Sequence, residues 1–475
     1  MLKLTKYEKA LVALFILTLP LMNPWVRGDG VGYYAFARAL LIEHRLDFTK
    51  DWLGANTSFR MGRVDANGQL TPEEYTSTGH IDNHFSAGPA ILWAPFLIAA
   101  HAATILCDRL GGHIPADGFS KPYRLAMAFG TALYGFLAIF ISFRLARRYV
   151  SDGWAFLAAL GIWFGSSLPV YMYFNPSWSH AHSAFAVAVF AWYWNRTRGE
   201  RTWGQWIVLG LLGGLMMNVY YMNSVVLLLP LLESLGRYRT AFKGRAWESA
   251  SGLFLKNLLF SATILLAFSP TLITKKIIYG GYLKFGYGEH WFWTSPAFLS
   301  VCFSANHGLF SWTPIAILAV AGLFLLRKYD RSLALYLTVT FVAFAYGMGC
   351  YENWHGISSY GSRFFVSLTA LFILGLAALF DGLAHAWRER RAAIVAWSGT
   401  TALVLWNLGL IFQWGMHLIP DRGPISFRAA AYNQVAVVPA EAERSLSSYL
   451  LHRRELMDRI EQRDVNQIKF DQTGP

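Results

Sequence analysis

The sequence predicts an all-α integral membrane protein, and three observations predict it. Of its 475 residues, 55% are apolar and only 15% are charged, whereas a soluble domain carries about a quarter charged residues. Continuous apolar stretches recur along the chain, several near the ~20 residues with which a helix crosses roughly 30 Å of hydrocarbon, not the ~10-residue alternating segments of a barrel. Lysines and arginines gather in short clusters between those stretches, the arrangement that sets orientation in a bilayer.

About eleven transmembrane helices follow, over 8–26, 123–143, 153–172, 182–195, 204–220, 224–236, 253–272, 308–326, 333–350, 364–383 and 392–414. The clusters Lys3/Lys6/Lys9, Arg144/Arg147/Arg148, Arg196/Arg198/Arg201, Arg237/Arg239/Lys243/Arg245, Arg327/Lys328/Arg331 and Arg388/Arg390/Arg391 occupy every second connection. Their alternation predicts a cytoplasmic N-terminus. Lys3 to Lys9 before an apolar run imitates a secretory signal, but Asn23-Pro24-Trp25 follows without a small-residue cleavage site, so an uncleaved first helix is expected. The alternation also requires the apolar stretch 88–106 to enter or lie on the membrane without crossing it, because a crossing there would put the Arg144 cluster outside.

The periplasmic side then receives a long first loop, 27–122, later loops around 173–181, 221–223, 273–307 and 351–363, and a C-terminal tail, 415–475, with a charged helix near 440–463. Residues 1–414 read as one transmembrane domain without a fixed-period repeat. Of the thirteen histidines, His80, His84, His180, His182, His290, His307 and His355 fall at or near periplasmic loops, so the unusual chemistry concentrates on that side. The net charge of +13 sits in clusters and not in one stripe, which excludes a nucleic-acid groove. Cys107, Cys302 and Cys350 are too few and too scattered for a disulfide framework or a paired-cysteine metal site. No glycine-rich nucleotide loop or metal-ligand spacing is present, so neither cofactor nor metal is expected.

Four polar constellations carry the candidate chemistry. Gly28-Asp29-Gly30-Val31-Gly32-Tyr33-Tyr34 follows the first helix and opens an amphipathic surface helix through Leu41. Asp29 is there either a helix cap or an acid held at the rim to take a proton from a hydroxyl. His80-Ile81-Asp82-Asn83-His84-Phe85 leads into Gly88-Pro89 and an apolar segment broken again at Pro95, which predicts a short helix entering the interface. Asn175-Pro176-Ser177-Trp178-Ser179-His180-Ala181-His182 follows the third span; His180 and His182, two residues apart, do not share a helical face, which weakens a metal reading. Ser304 to Pro314, with His307, and Tyr351-Glu352-Asn353-Trp354-His355 through Tyr360 and Arg363 complete the set. An Arg at the mouth of a helix bundle either snorkels to headgroups or meets an anion, and its planar fork suits phosphate.

In these strings the chain resembles the GT-C superfamily of membrane glycosyltransferases, which includes protein O-mannosyltransferases and the lipid A aminoarabinose transferase. The acid before paired aromatics matches at Asp29 with Tyr33 and Tyr34. The basic residue before prolines and a surface helix matches at His84, where better-known members carry lysine. The second acid that many members place after the third helix is absent from 175–182. The resemblance implies transfer of a sugar from a polyprenyl-phosphate donor to a hydroxyl of a periplasmic glycan, lipid or protein, in a bacterial inner membrane, with inversion. It implies Asp29 as general base, and Arg363 with His84, Lys275, Lys276 and Tyr360 around the donor phosphate. Tyr33, Tyr34, Asp82, Asn83, His180, His182, His307, Glu352, Trp354 and His355 are the expected sugar or acceptor contacts. A flippase for polyprenyl-linked glycans and an O-antigen ligase or polymerase are the rival expectations. Against them stand ionisable groups gathered at one rim and a largest loop that comes first.

Overall fold

The computed structural model describes residues 4–286, 288 and 290–473; Lys3 of the first basic cluster lies outside them. In chain order the main helices are α1 (Lys6–Thr18), α2 (Asp29–Arg38), α3 (Gly88–Arg109), α4 (Lys121–Ala146), α5 (Asp152–Gly165), α6 (His180–Arg196), α7 (Trp203–Val219), α8 (Leu228–Lys243), α9 (Trp247–Tyr279), α10 (Ile315–Leu325), α11 (Arg331–Cys350), α12 (Thr369–Ala386), α13 (Glu389–Gly415), α14 (Phe427–Ala436), α15 (Val438–Leu451) and α16 (Arg453–Thr473). Among the described residues the only β structure is isolated bridges.

Every expected span falls on a helix, but six helices among the described residues are long and apolar enough to cross a membrane: α3, α4, α9, α11, α13 and Arg363–Ala386, of which α12 is the main part. The others are shortened where the sequence interrupts them. Pro169 follows α5, and Pro314 immediately precedes α10, since proline cannot continue the ladder of the preceding turn.

Small residues let the central helices approach. A Cβ on Gly375 of α12 would stand 2.0 Å from the Ala319 carbonyl oxygen of α10, and one on Gly322 of α10 would stand 1.8 Å from that of Gly375. Without a hydrophobic force between helices in lipid, such close van der Waals approach is a main source of cohesion. Polar groups inside the bundle meet one another: Asn223 Nδ2 donates to Ser183 Oγ (2.8 Å), which bonds Ser367 Oγ (2.7 Å).

The basic clusters meet at one end. Arg144 reaches Glu8 (2.7 Å), Arg147 reaches Asp152 (2.7 Å), Arg198 reaches Asp330 (2.6 Å) and Arg201 reaches Glu233 (2.9 Å). The chain segments expected on the opposite side close around a large cavity at the other end.

In α3 composition and charge pattern point to different placements. Its length and apolar composition suit a crossing, while its start and the connection after it both pack on elements of the cavity end. Near its start, Ser86 Oγ donates to the Val219 carbonyl at the end of α7, and Trp93 packs edge-on against His182 at the start of α6. Further along, His101 Nδ1 bonds Tyr123 Oη at the start of α4 (2.6 Å). The connection that follows meets α2, where Tyr34 Oη donates to the Gly118 carbonyl and Arg38 stacks on Phe119. α3 and α4 are thus an antiparallel hairpin, with Ile91, Ile98 and Leu106 exposed as a lipid-compatible face.

Single cysteines placed at 113, at 55–80 and beyond 420 are therefore expected to react alike with an impermeant thiol reagent on intact spheroplasts. Those at 196–201 and 385–391 should react only after lysis. Protection of position 113 with labelling of 55–80 would make α3 a crossing helix.

Candidate active site at the cavity end

The cavity floor is built by a turn between α1 and α2. The Asn23 amide donates to the Tyr173 carbonyl (2.7 Å), and the Trp178 indole donates to the Arg27 carbonyl (3.0 Å). Gly28 takes φ +54°, a left-handed conformation that favours glycine. A Cβ on Gly30 would stand 1.9 Å from Ser177 Oγ, so only glycine lets the first turn of α2 lie on the 175–178 segment. Gly28 occupies the cap position of α2, and Asp29 is the first helical residue. The Asp29 carboxylate is directed away from its own helix: Oδ2 accepts from Arg363 Nη1 at 2.7 Å.

Arg363 enters from the far end of the sequence. Its guanidinium lies 4.6 Å from the Trp178 ring centroid and 5.2 Å from that of Phe364, a stacking that a planar delocalised cation favours. Its side chain is 12% exposed against 34% for Asp29, and its Nε is buried without a partner. Above the pair opens a cavity of about 1150 Å³, walled by the start of α2, the first loop, residues 175–180, 220–222 and 348–364, the end of α13 and α16.

Of the residues singled out in the sequence, Asp29, Tyr33, Asp82, His84, His180 and Arg363 line this cavity. Glu73 and Glu74 join them. The remaining candidates lie outside the lining and have other partners. Tyr34 bonds Gly118 beneath α2. Asn83 Nδ2 donates to the Gly32 carbonyl (2.9 Å), locking the first loop onto α2. Lys275 is buried and donates to the carbonyls of Asn83 (3.1 Å) and Phe85 (2.8 Å), the two neighbours of His84. It therefore shapes the cavity wall from behind. Lys276 is exposed and bonds the Gly280 carbonyl. Tyr360 is buried, with its hydroxyl donating to Asn407 Oδ1 (2.8 Å). His182 packs under Trp93, and His307 packs against Trp312 with ring centroids 4.9 Å apart. Glu352 accepts from the His290 amide, Trp354 packs edge-on against His355, and His355 accepts from the Ile357 amide.

Burial decides the charge state of several loop groups. It raises the Tyr33 phenol, helped by Asp29 nearby, so Tyr33 remains a neutral donor. Burial lowers His307 to about 4 and also lowers His355, with Arg363 adding to both shifts. Neither imidazole is a cation at neutral pH. Arg363 is thus the fixed positive charge beside Asp29, where the sequence offered several candidates.

α16 forms a wall that local sequence did not signal. Asp464 accepts from Arg27 (2.7 Å), and Glu461 accepts from the Ser58 amide (2.6 Å) and Asn56 Nδ2 (2.8 Å). Burial pushes the Asp464 carboxyl up, partly offset by Arg27 and His417. Arg463, Asn466 and Ile468 then face the cavity. The charge-rich composition of 453–473 was the only available clue.

No family model and no curated protein matches the chain. Among solved structures it is similar to an ArnT from Cupriavidus metallidurans. With that protein bound to undecaprenyl phosphate the identity is 14% and the TM-score 0.47, over 87% of this chain and 71% of that one. With its apo state the identity is 14% and the TM-score 0.46, over 86% and 72%.

Gly30→Ala should lower the thermal midpoint, because overpacking against Ser177 costs roughly 1–3 kcal/mol. Gly204→Ala, where a Cβ meets nothing within 4 Å, is the matched control and should leave the midpoint unchanged in the same thermal scan. Equal midpoints for both variants would show that the α2 turn tolerates a side chain.

Proposed function

We propose that the protein is a GT-C glycosyltransferase that moves a sugar from a polyprenyl-phosphate donor to a hydroxyl of a glycan, lipid or protein acceptor on the periplasmic side. The observation that carries this reading is the contact between Asp29 and Arg363, 334 positions apart in sequence, on the floor of the large cavity. A carboxylate suited to deprotonation and a cation suited to phosphate stand side by side, in the two motifs whose resemblance implied those roles.

In this mechanism the acceptor oxygen attacks the anomeric carbon as its proton passes to the Asp29 carboxylate. The bond from that carbon to the phosphate oxygen breaks, and its electron pair leaves with polyprenyl phosphate. Direct displacement inverts the anomeric configuration and leaves no glycosyl-enzyme. The leaving group departs as a stabilised anion, so the site needs a cation at the phosphate more than an acid at the bridging oxygen. Arg363 supplies it, Tyr33 contributes a neutral hydroxyl, and His84 and Asp82 flank the same wall. The placement of the paired ionisable groups at the two ends of the bundle supports transfer over a flippase, which would place such groups near the bilayer midplane.

Incubating the purified protein with radiolabelled polyprenyl-phosphate sugars and crude envelope glycolipids tests the class directly. Label moving into any acceptor is expected; donors that stay intact across the whole panel would remove the reading. Asp29→Asn and Asp29→Ala should each lower turnover by roughly two or more orders of magnitude with the fold intact. Near-normal transfer by Asp29→Asn would move the base role to Glu73, Glu74 or Asp82. Arg363→Lys should raise the donor Michaelis constant, since an ammonium keeps the charge and loses the two-point contact. Unchanged donor kinetics for Arg363→Ala would reduce this residue to a structural one.

A further inference from the structure

The Asp29–Arg363 contact also bears on the order in which the site operates, a point that rests on the transfer reading above. The Arg363 guanidinium has two edges that an anion could meet. The Nε edge is closed: Nε is buried without a partner, the Trp178 ring covers the guanidinium, and a Cβ on Gly356 would stand 3.1 Å from Nε. Arg363 lines the cavity, and its terminal nitrogen Nη1 already donates to Asp29 Oδ2 at 2.7 Å. Phosphate gains most from a guanidinium when two parallel N–H bonds meet two of its oxygens. With Nε closed off, the two terminal nitrogens are what the guanidinium can offer a phosphate, and a carboxylate already occupies one of them.

Two anions cannot share those nitrogens without repulsion, so one gives way. Arg363 is fixed by Trp178 and Phe364 and is 12% exposed, whereas Asp29 is 34% exposed on the first turn of its helix. Asp29 is the member free to rotate. We infer that the donor phosphate displaces the Asp29 carboxylate from Arg363, so that the base is released only when the donor is seated. In the free protein Asp29 serves as a stand-in anion, which spares the site an uncompensated charge, costly at this degree of enclosure. While Oδ2 accepts from Arg363, one oxygen of the base is occupied. Once phosphate replaces it, both oxygens are available to an acceptor hydroxyl. Donor binding thus precedes productive acceptor binding.

The test is equilibrium binding of a polyprenyl monophosphate to the full-length protein in nanodiscs. That probe carries the leaving group without a sugar, so no turnover intervenes. If Asp29 competes for Arg363, Asp29→Asn binds the probe roughly tenfold more tightly than the wild type, the size of one partly enclosed charge contact. Arg363→Ala loses binding, and the double variant binds no better than Arg363→Ala alone. Equal or weaker binding by Asp29→Asn, with Arg363→Ala still impaired, would overturn the displacement and leave the transfer reading standing. Unchanged binding by Arg363→Ala would overturn both. Thermal midpoints confirm the fold of each variant, and Asp29→Ser provides the same comparison should Asp29→Asn prove unstable.

Discussion

A single ion pair, Asp29 to Arg363, ties the beginning of the chain to the start of its most buried helical segment, and the cavity is organised around it. Taking a carboxylate and a guanidinium partly out of water costs several kcal/mol per ion unless good geometry restores it. The surroundings provide that geometry. Trp178 stacks on the guanidinium while its indole N–H holds the Arg27 carbonyl. Gly28 and Gly30 allow the turn carrying Asp29 to lie against the same segment. The turn before α2, the loop after α5 and the loop after α11 are thereby fixed to one another.

The remaining walls are held from behind. Lys275 grips the carbonyls on either side of His84, and Asn83 fastens that segment to α2. These side chains are removed from solvent and spend their hydrogen bonds on backbone, so their effect is on shape. The opposite end of the bundle uses arginine–carboxylate pairs instead, from the part-exposed Arg144–Glu8 to the buried Arg201–Glu233. One end of the molecule is cross-tied by hydrogen bonds around the cavity, and the other is held by ion pairs.

Much of this was legible in sequence because helices in lipid must satisfy their own backbone, so apolar length and flanking charge report directly on spans. The alternation of basic clusters led to the expectation that 88–106 does not cross, where apolar length alone points to a span; the contacts of Trp93 and His101 then revealed its antiparallel pairing with α4. Within the site, Asp29, His84, His180 and Arg363 were visible because charged or titratable groups at membrane rims are conspicuous. Lys275, Tyr360 and His307 looked equally suitable, and nothing local distinguishes a cation facing a cavity from one turned into backbone carbonyls. α16 was hidden for the opposite reason. Its Asp464 and Glu461 resemble any solvated charge, and their partners Arg27 and Ser58 lie some four hundred residues earlier.

That separation has a consequence for biogenesis. Ribosomes deliver the chain from its N-terminus, so Arg27 and Asp29 reach the membrane long before Arg363, and Arg363 before Asp464. During synthesis the nascent floor therefore lacks its counter-charge until about three-quarters of these 475 residues have emerged, and the cavity lacks one wall until α16 folds back. A chain that stops short of Arg363 leaves Asp29 without its partner, and one that stops short of Asp464 leaves Arg27 without its own.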